Sequence, residues 1–167
     1  MYLSEKLRPA HVLAGFGSGE DALDRWLKER ALDWQARGFA QTHVWADPAT
    51  MDVHAFYSHC PHMVARDDLP SAKLRKNAPE AIPAILLGQM ALNAPLKGRK
   101  LGRQLLVDAL GCMTELAEQG SGALIVIDPL NDQARGFYLA HDFHELRHTD
   151  RLFVTMAEAR ESLKVNG

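Results

Sequence analysis

Residues 82–92 read Ile82-Pro-Ala-Ile-Leu-Leu-Gly-Gln-Met-Ala-Leu92, and residues 97–103 read Lys97-Gly-Arg-Lys-Leu-Gly-Arg103. The first segment is too short to span a membrane and too uniformly apolar for an exposed edge, so it predicts a central buried strand. The second segment combines two glycines with four basic side chains. A glycine turn that enters a helix presents free backbone N–H groups at the positive end of the helix dipole, and such an end binds phosphate or pyrophosphate.

The residues after the glycine turn complete a strand, helix, strand unit. Apolar side chains recur at helical spacing over residues 101–119, and Gly120-Ser-Gly122 ends the pattern. The run Ala123-Leu-Ile-Val-Ile127 predicts a second buried strand, as in a βαβ unit. Further along we predict an Asn-capped helix at 131–141, a strand at 151–155 and a helix at 157–165.

The residues before this stretch predict helices and then a hairpin. Ser18-Gly-Glu-Asp21 has the form of a capping box, and helical spacing continues to Gly38 in one helix or two. β-favouring residues on both sides of Asp47-Pro-Ala-Thr50 predict an antiparallel hairpin, preceded by a short strand within residues 2–7. Residues 65–81 are polar and contain two prolines, which predicts a loop or a short helix.

Length and composition are typical of one globular domain. The chain has 167 residues, of which 47% are hydrophobic and 24% charged. No apolar run approaches the roughly 18 to 20 residues of a membrane span, and the first residues lack the pattern of a signal peptide. We therefore predict a cytoplasmic protein that makes no membrane contact.

The net charge of −2 conceals a basic middle segment. Residues 66–103 hold 8 basic and 3 acidic side chains, a charge of +5, whereas both flanking segments are negative. Besides the glycine turn, this segment contains the cluster Lys73, Arg75 and Lys76. The cluster is either a solvated face or a contact for phosphates.

Neither the histidines nor the cysteines indicate a metal site. Four histidines fall in or beside the predicted hairpin without an accompanying set of carboxylates. Cys60 and Cys112 match no zinc or redox spacing. We predict that the protein holds no metal.

The two ends of the central stretch carry the candidate chemistry. The glycine turn is not a Walker loop, because the Gly-Lys-Ser/Thr ending is absent, and it is not a dinucleotide fingerprint. At the other end, Tyr138 follows Phe137 on the predicted Asn-capped helix. From the residues alone, an amphipathic core tyrosine explains Tyr138 more simply than a role as proton donor does.

The order of these motifs resembles the GNAT acyltransferase superfamily. The resemblance rests on an apolar strand, a basic glycine turn, a helix, a second strand and then Asn131-Asp-Gln-Ala-Arg-Gly-Phe-Tyr138 before Phe143. The run at residues 82–92 and the N-terminal Leu23-Asp-Arg-Trp-Leu27 are similar to the GNAT toxins of type II toxin–antitoxin modules. The resemblance covers nearly the whole chain.

This resemblance implies an α+β fold made of one domain over residues 1–167. Its central mixed, mainly antiparallel sheet has about six to seven strands, is splayed at strands 4 and 5, and is flanked by helices. The implied cosubstrate is acetyl-coenzyme A, bound by its pantetheine arm along the fourth strand and by its pyrophosphate at the following turn. The implied cofactor-binding residues are Met90, Ala91, Leu92, Lys97, Gly98, Arg99, Lys100, Leu101, Gly102, Arg103, Asn131 and Phe137.

The resemblance also implies the reaction and its partners. Tyr138 would be the proton donor, and the substrate would be the α-amino group of aminoacyl-tRNA, whose acetylation blocks translation. Lys73, Arg75 and Lys76 would then contact tRNA phosphates. A ribbon-helix-helix antitoxin and a homodimer are implied as well. Two alternatives stay open: a GNAT enzyme that acetylates a small-molecule or protein amine, and a catalytically impaired module that binds acyl-coenzyme A.

Four positions depart from the pattern of the family. Lys97 stands where the turn usually begins with Gln or Arg, and Lys100 replaces its middle glycine. Lys100 therefore puts a Cβ at a position that favours a residue without one. Asp142 stands where a glycine usually precedes Phe143, and Asp tolerates the left-handed conformation better than most residues. Within the apolar strand, Gln89 replaces an arginine of the toxins.

Overall fold

The computed structural model describes residues 2–120 and 122–166, with residue 166 described by its backbone alone. Its strands are β1 (Ser4–Lys6), β2 (Gln41–Ala46), β3 (Val53–Ala65), β4 (Ala81–Leu92), β5 (Leu124–Ile127), β6 (His144–Glu145) and β7 (Leu152–Thr155). Its helices are α1 (Asp21–Glu29), α2 (Ala31–Ala36), α3 (Ala72–Arg75), α4 (Leu101–Glu118), α5 (Asp132–Leu139) and α6 (Met156–Asn166), with short 3-10 turns at Arg66–Asp68 and Ala94–Leu96. None of the helices in the described ranges has the length and apolarity needed to cross a bilayer.

The strands form one mixed sheet in the order β1-β2-β3-β4-β5-β7-β6, which places β4 at its centre. β1 with β2, β2 with β3, β5 with β7 and β6 with β7 pair antiparallel, whereas β4 and β5 pair parallel. The predicted central strand, hairpin and βαβ unit are therefore confirmed, and so is the mainly antiparallel sheet. In the described residues the pairing of β4 with β5 ends at Leu87 and Ile127, although β4 continues to Leu92.

The chain divides into two compact units. The first unit contains the residues up to Cys60 together with Gly88–Ala109. Its core joins residues from α1, α2 and strands β2, β3 and β4. The buried members are Leu7, Phe16, Leu27, Ala31, Val44, Val53, Phe56 and Ala91.

The second unit contains Pro61–Leu87 and the residues from Leu110 onward. Its core lies on one face of the strands, where alternate residues of β4 and β5 point inward together with residues of β3 and β7. The buried members are Val64, Leu69, Ile82, Ala84, Leu124, Val126, Leu146 and Phe153.

The predicted capping box at Ser18 is wrong. α1 begins at Asp21 with Glu20 as its N-cap, and no side chain caps it. The carboxylate of Asp24 instead accepts hydrogen bonds from the backbone N–H of Ser18 at 2.9 Å and from its hydroxyl at 2.6 Å. Because the helix starts later than the motif requires, Ser18 belongs to a loop that Asp24 holds. The first helical region is broken into two, as the spacing allowed, at Arg30 between α1 and α2.

His59 gives the first unit a pH-dependent stability. It lies buried on β3, and its ring stacks on that of His43 with centroids 5.6 Å apart. Burial, and then the charge of His43, lowers the pKa of His59 from 6.5 to about 4. Between pH 4 and 6.5 the unfolded chain therefore binds more protons at this residue than the folded chain, so the free energy of unfolding falls as the pH falls through that range.

We expect the free energy of unfolding, measured by urea titration, to fall by at most about 3 kcal/mol from this residue between pH 6.5 and pH 4. In the variant His59→Gln that part of the pH dependence should disappear. Replacing the exposed His148 by Gln is the control and should leave the slope intact. An equal slope in the wild type and in His59→Gln would show that His59 is not the group that titrates.

Candidate functional site

The basic glycine turn lies where β4 passes into α4. Residues 97–100 form an exposed turn after the 3-10 turn, and α4 starts at Leu101. The first backbone N–H groups of this 18-residue helix have no partner within the helix, and the helix dipole makes its N-terminus positive. Gly102 lies in the first helical turn, half-buried. The side chains of Lys97, Arg99, Lys100 and Arg103 are all exposed. The turn can therefore hold a pyrophosphate.

Two residues of the turn have left-handed backbone conformations. The φ angle is 76° at Gly98 and 60° at Lys100. Glycine adopts this conformation at no steric cost, whereas for a residue with a Cβ the conformation is less favourable by about 1 to 2 kcal/mol of free energy. The left-handed backbone of Lys100 confirms the prediction that this position favours glycine.

We expect Lys100→Gly to stabilise the turn and to lower the dissociation constant for acetyl-coenzyme A by about two- to fivefold, because the relief of strain exceeds the loss of one exposed charge. Isothermal titration calorimetry measures this dissociation constant. Lys100→Ala is the matched control, since it removes the charge and keeps the Cβ. If Lys100→Gly binds more weakly than Lys100→Ala does, the ammonium group matters more than the backbone conformation.

A loop of the first unit is tied to the end of β4. The backbone N–H of Gly17 donates to Oδ1 of Asn93 at 3.0 Å, and the backbone N–H of Ala94 donates to the carbonyl of Gly17 at 2.8 Å. The backbone N–H of Asn93 also donates to the carbonyl of His54 at 2.8 Å. These three bonds fix the chain just before the turn. Asn93 was missed in the sequence because an asparagine between a strand and Pro95 reads as an ordinary turn residue.

The predicted pantetheine segment lies at the end of β4. Ala91 is buried in the core of the first unit, whereas Met90 and Leu92 are half-buried. The side chain of Ala91 therefore packs inward. That the backbone of this strand binds the pantetheine arm stays a prediction.

Tyr138 lies on α5 in the second unit and is 7% exposed. Its ring makes edge contacts with Phe137 and Phe143, at centroid distances of 5.2 and 5.7 Å. No group in residues 2–120 or 122–166 forms a hydrogen bond with its hydroxyl. Burial raises the pKa of Tyr138 well above the ordinary value of 10, so the phenol stays protonated at neutral pH. A protonated hydroxyl without an internal partner is suited to donate to a ligand.

Both ends of α5 are fixed by polar contacts. Asn131 is the N-cap, and its Oδ1 accepts a hydrogen bond from the backbone N–H of Ala134 at 2.9 Å, which confirms the predicted cap. Beyond the other end, Asp142 has a φ of 67°, the left-handed conformation expected of it. The backbone N–H of Phe143 can then donate to the carbonyl of Tyr138 at 3.2 Å. The helix that carries Tyr138 is therefore held at both termini.

The predicted tRNA-contacting residues lie on and beside α3, in the second unit. Lys73 and Lys76 are exposed, and no ion pair in the described part of the chain involves either of them. Arg75 is half-buried and donates from Nη1 to the carbonyl of Leu69 at 2.6 Å. Two of the three side chains are thus available to a phosphate, while Arg75 also holds the polar loop in place.

Each unit gathers one part of the predicted site. The first unit brings together the end of β4 and the glycine turn. The second unit places Asn131, Phe137 and Tyr138 on one short helix and the α3 cluster elsewhere in the same unit.

The chain has a relative with an assigned activity. It is 34% identical over 157 residues to the tRNA-acetylating toxin of Mycobacterium tuberculosis (strain ATCC 25618 / H37Rv), a match that covers 93% of this chain and 92% of the relative. No protein-family model matches the sequence.

Three solved structures have a similar fold. A tyrosine-to-phenylalanine mutant of KacT gives a TM-score of 0.90 at 21% identity, covering 95% of this chain and 97% of KacT. AtaT complexed with acetyl-methionyl-tRNAfMet gives 0.88 at 22% identity, covering 96% and 98%. A tyrosine-to-phenylalanine mutant of the toxin AtaT, bound to the C-terminus of the antitoxin AtaR and acetyl-CoA, gives 0.80 at 19% identity, covering 95% and 96%. With its sheet, its glycine turn and a relative matched over nearly its full length, the chain belongs to the GNAT family of tRNA-acetylating toxins.

Proposed function

We propose that this protein transfers an acetyl group from acetyl-coenzyme A to the α-amino group of aminoacyl-tRNA and thereby blocks translation. The observation that carries the proposal is the 34% identity to a tRNA-acetylating toxin over 93% of the chain. Two local features support it. One is a basic turn with left-handed residues at a helix N-terminus, and the other is a buried phenol that forms no hydrogen bond within residues 2–120 and 122–166.

The glycine turn is proposed to bind the pyrophosphate. Its backbone N–H groups and the positive end of α4 attract the phosphates. The lysines and arginines of the turn add positive charge at its rim. The main chain of residues 90–92 would hold the pantetheine arm. Asn131 and Phe137 are proposed as further cofactor-binding residues on the strength of the family resemblance. AtaT has been solved with acetyl-CoA bound, which agrees with this cosubstrate.

Tyr138 is proposed to act as the proton donor. Acetyl-coenzyme A supplies a thioester, and attack by an amine expels a thiolate that needs a proton. The phenol of Tyr138 is protonated at neutral pH, as an ordinary phenol is, and it can donate as negative charge develops on the sulfur. The attacking group must be a neutral amine. An α-amino group has a pKa of about 8, against about 10.4 for lysine, so it needs no dedicated base.

The tRNA is proposed to contact Lys73 and Lys76, with Arg75 supporting them from beside α3. Phosphate contacts by lysine release counterions, so the affinity for tRNA should fall steeply as the salt concentration rises. AtaT has been solved in complex with acetyl-methionyl-tRNAfMet, which agrees with a tRNA substrate.

The partners are proposed from the family. AtaT binds the C-terminus of its antitoxin AtaR, and we propose that an antitoxin of the ribbon-helix-helix type neutralises this protein. We also propose a homodimer, because the resemblance implies one. A cytoplasmic location is proposed because the protein would have to meet charged tRNA. Size-exclusion chromatography with light scattering tests the dimer.

A cell-free translation extract tests the proposed function. With acetyl-coenzyme A present, the protein should stop synthesis of a reporter, and fresh aminoacyl-tRNA should restore synthesis only after the acetyl-coenzyme A has been removed. Without acetyl-coenzyme A the extract should stay active. Inhibition that does not depend on acetyl-coenzyme A would contradict an acetylation mechanism.

A further inference from the structure

Three polar side chains in the second unit, His62, Asp128 and Arg151, form a cluster that takes no part in the proposed reaction. Nη1 of Arg151 lies 3.1 Å from Nε2 of His62, and Nε of Arg151 lies 3.6 Å from Oδ2 of Asp128. An arginine N–H can only donate, so the imidazole nitrogen accepts and His62 is neutral. Burial, and then the charge of Arg151, lowers the pKa of His62 in agreement with that state. The guanidinium is thus held between a neutral imidazole and a carboxylate.

The cluster lies at the carboxyl end of β5. Asp128 follows Ile127 directly, and the same connection leads on to α5 and Tyr138. Arg151 immediately precedes β7, whose Leu152 pairs with Ile127. In open sheets with parallel strands, ligands bind beyond the carboxyl ends of those strands. The cluster therefore lies at the edge where a substrate of the Tyr138 helix is expected.

Arg135 connects the two features physically. It lies on α5, one turn before Tyr138, and its Nη1 donates to the backbone carbonyl of Asp150 at 2.7 Å. Its Nη2 also forms an ion pair with Oε1 of Glu145 at 2.6 Å. Because Asp150 precedes Arg151, the helix of Tyr138 and the chain that carries Arg151 are braced against each other.

The cluster keeps one acceptor and one donor available. In the described part of the chain, Oδ1 of Asp128 and Nη2 of Arg151 form no hydrogen bond. Both side chains are partly open to solvent, at 55% for Asp128 and 37% for Arg151. A carboxylate oxygen accepts from an amine, and a guanidinium nitrogen donates to a carbonyl oxygen. The pair thus offers complementary groups side by side.

We propose that Asp128 and Arg151 bind the aminoacyl end of the acceptor, with the carboxylate receiving the α-amino group and the guanidinium receiving the neighbouring carbonyl oxygen. The inference rests on the proposed function and names the part of the site that selects its substrate. In an aminoacyl group the α-carbon bears both the amine and the carbonyl, whereas the carbon that bears the ε-amine of lysine is bonded to no carbonyl. The arrangement therefore favours α-aminoacyl groups over lysine side chains. His62 is a positioning residue that holds Arg151.

Steady-state kinetics with Asp128→Asn and Arg151→Lys test the proposal on the full chain. Loss of one charged hydrogen bond to a substrate corresponds to roughly a tenfold change or more. We expect KM for aminoacyl-tRNA to rise by about that factor in each variant, while the dissociation constant for acetyl-coenzyme A changes by less than about twofold. The preference for aminoacyl-tRNA over a lysine peptide should fall by a similar factor.

The control variant is Glu161→Gln, which removes an exposed ion pair with Lys164 on α6, at 3.1 Å. It should leave all of these constants unchanged. If both cluster variants keep the wild-type KM, or if acetyl-coenzyme A affinity falls as much as KM rises, the cluster does not bind the acceptor. A wild-type protein that acetylates no aminoacyl-tRNA would instead overturn the proposed function, so the two failures are separable.

Discussion

Replacing Tyr138 by phenylalanine should lower kcat about 100-fold or more while leaving the fold intact, because positioned general acids contribute roughly 10²- to 10⁴-fold. The change removes only the hydroxyl, which forms no hydrogen bond in the described chain. The ring contacts with Phe137 and Phe143 remain. The dissociation constant for acetyl-coenzyme A should therefore stay near the wild-type value. Single-turnover acetyl transfer and calorimetry measure the two quantities.

Tyr2→Phe is the matched control for this prediction. Tyr2 stacks on Trp45 in the first unit, at a centroid distance of 5.1 Å, and also loses one phenolic hydroxyl. The control should keep full activity. Induced expression gives a second readout: the wild type and Tyr2→Phe should arrest growth, and Tyr138→Phe should not. A Tyr138→Phe protein that transfers acetyl groups at the wild-type rate would remove Tyr138 from the mechanism.

Replacing Gly98 by valine should weaken acetyl-coenzyme A binding at least about tenfold, because a β-branched residue at a φ of 76° costs on the order of 1 to 3 kcal/mol. A Cβ at this position meets no atom within 4 Å, so the loss would come from the backbone conformation and not from a clash. The distorted turn would no longer direct its N–H groups at the pyrophosphate. Calorimetry with acetyl-coenzyme A tests this.

Gly111→Ala is the control for the turn variant. Gly111 lies inside α4, where a Cβ also meets no atom within 4 Å and φ is not positive. The variant should be more stable by about 0.5 to 1 kcal/mol and should bind acetyl-coenzyme A normally. Equal binding by Gly98→Val and by the wild type would mean that the turn does not hold the ligand.

Most of the fold could be predicted because its elements have strong local patterns. The apolar run that becomes β4 and the leucine stripe of α4 specify a buried strand and a long helix without help from distant residues. The cap at Asn131 was readable for the same reason, since it depends on a contact with Ala134 three residues away. The prediction at Ser18 was wrong because its hydroxyl donates to the carboxylate of Asp24, inside α1, and does not cap the helix.

Candidate site residues could be proposed only where a motif is continuous in sequence. The glycine turn and the Phe137-Tyr138 pair were proposed in this way, and the φ of 60° at Lys100 confirms the left-handed backbone expected there. The cluster of His62, Asp128 and Arg151 could not be found, because His62 and Arg151 are 89 positions apart and meet only through the sheet.

Direct detection of the product tests whether the protein acetylates aminoacyl-tRNA. The protein is incubated with aminoacyl-tRNA and acetyl-coenzyme A, the tRNA is digested, and the terminal aminoacyl-adenosine is analysed by mass spectrometry. We expect one added acetyl group on the α-amino nitrogen with the wild type and almost none with Tyr138→Phe. An unmodified aminoacyl group, or an acetyl group found only on protein lysines in the same reaction, would contradict it.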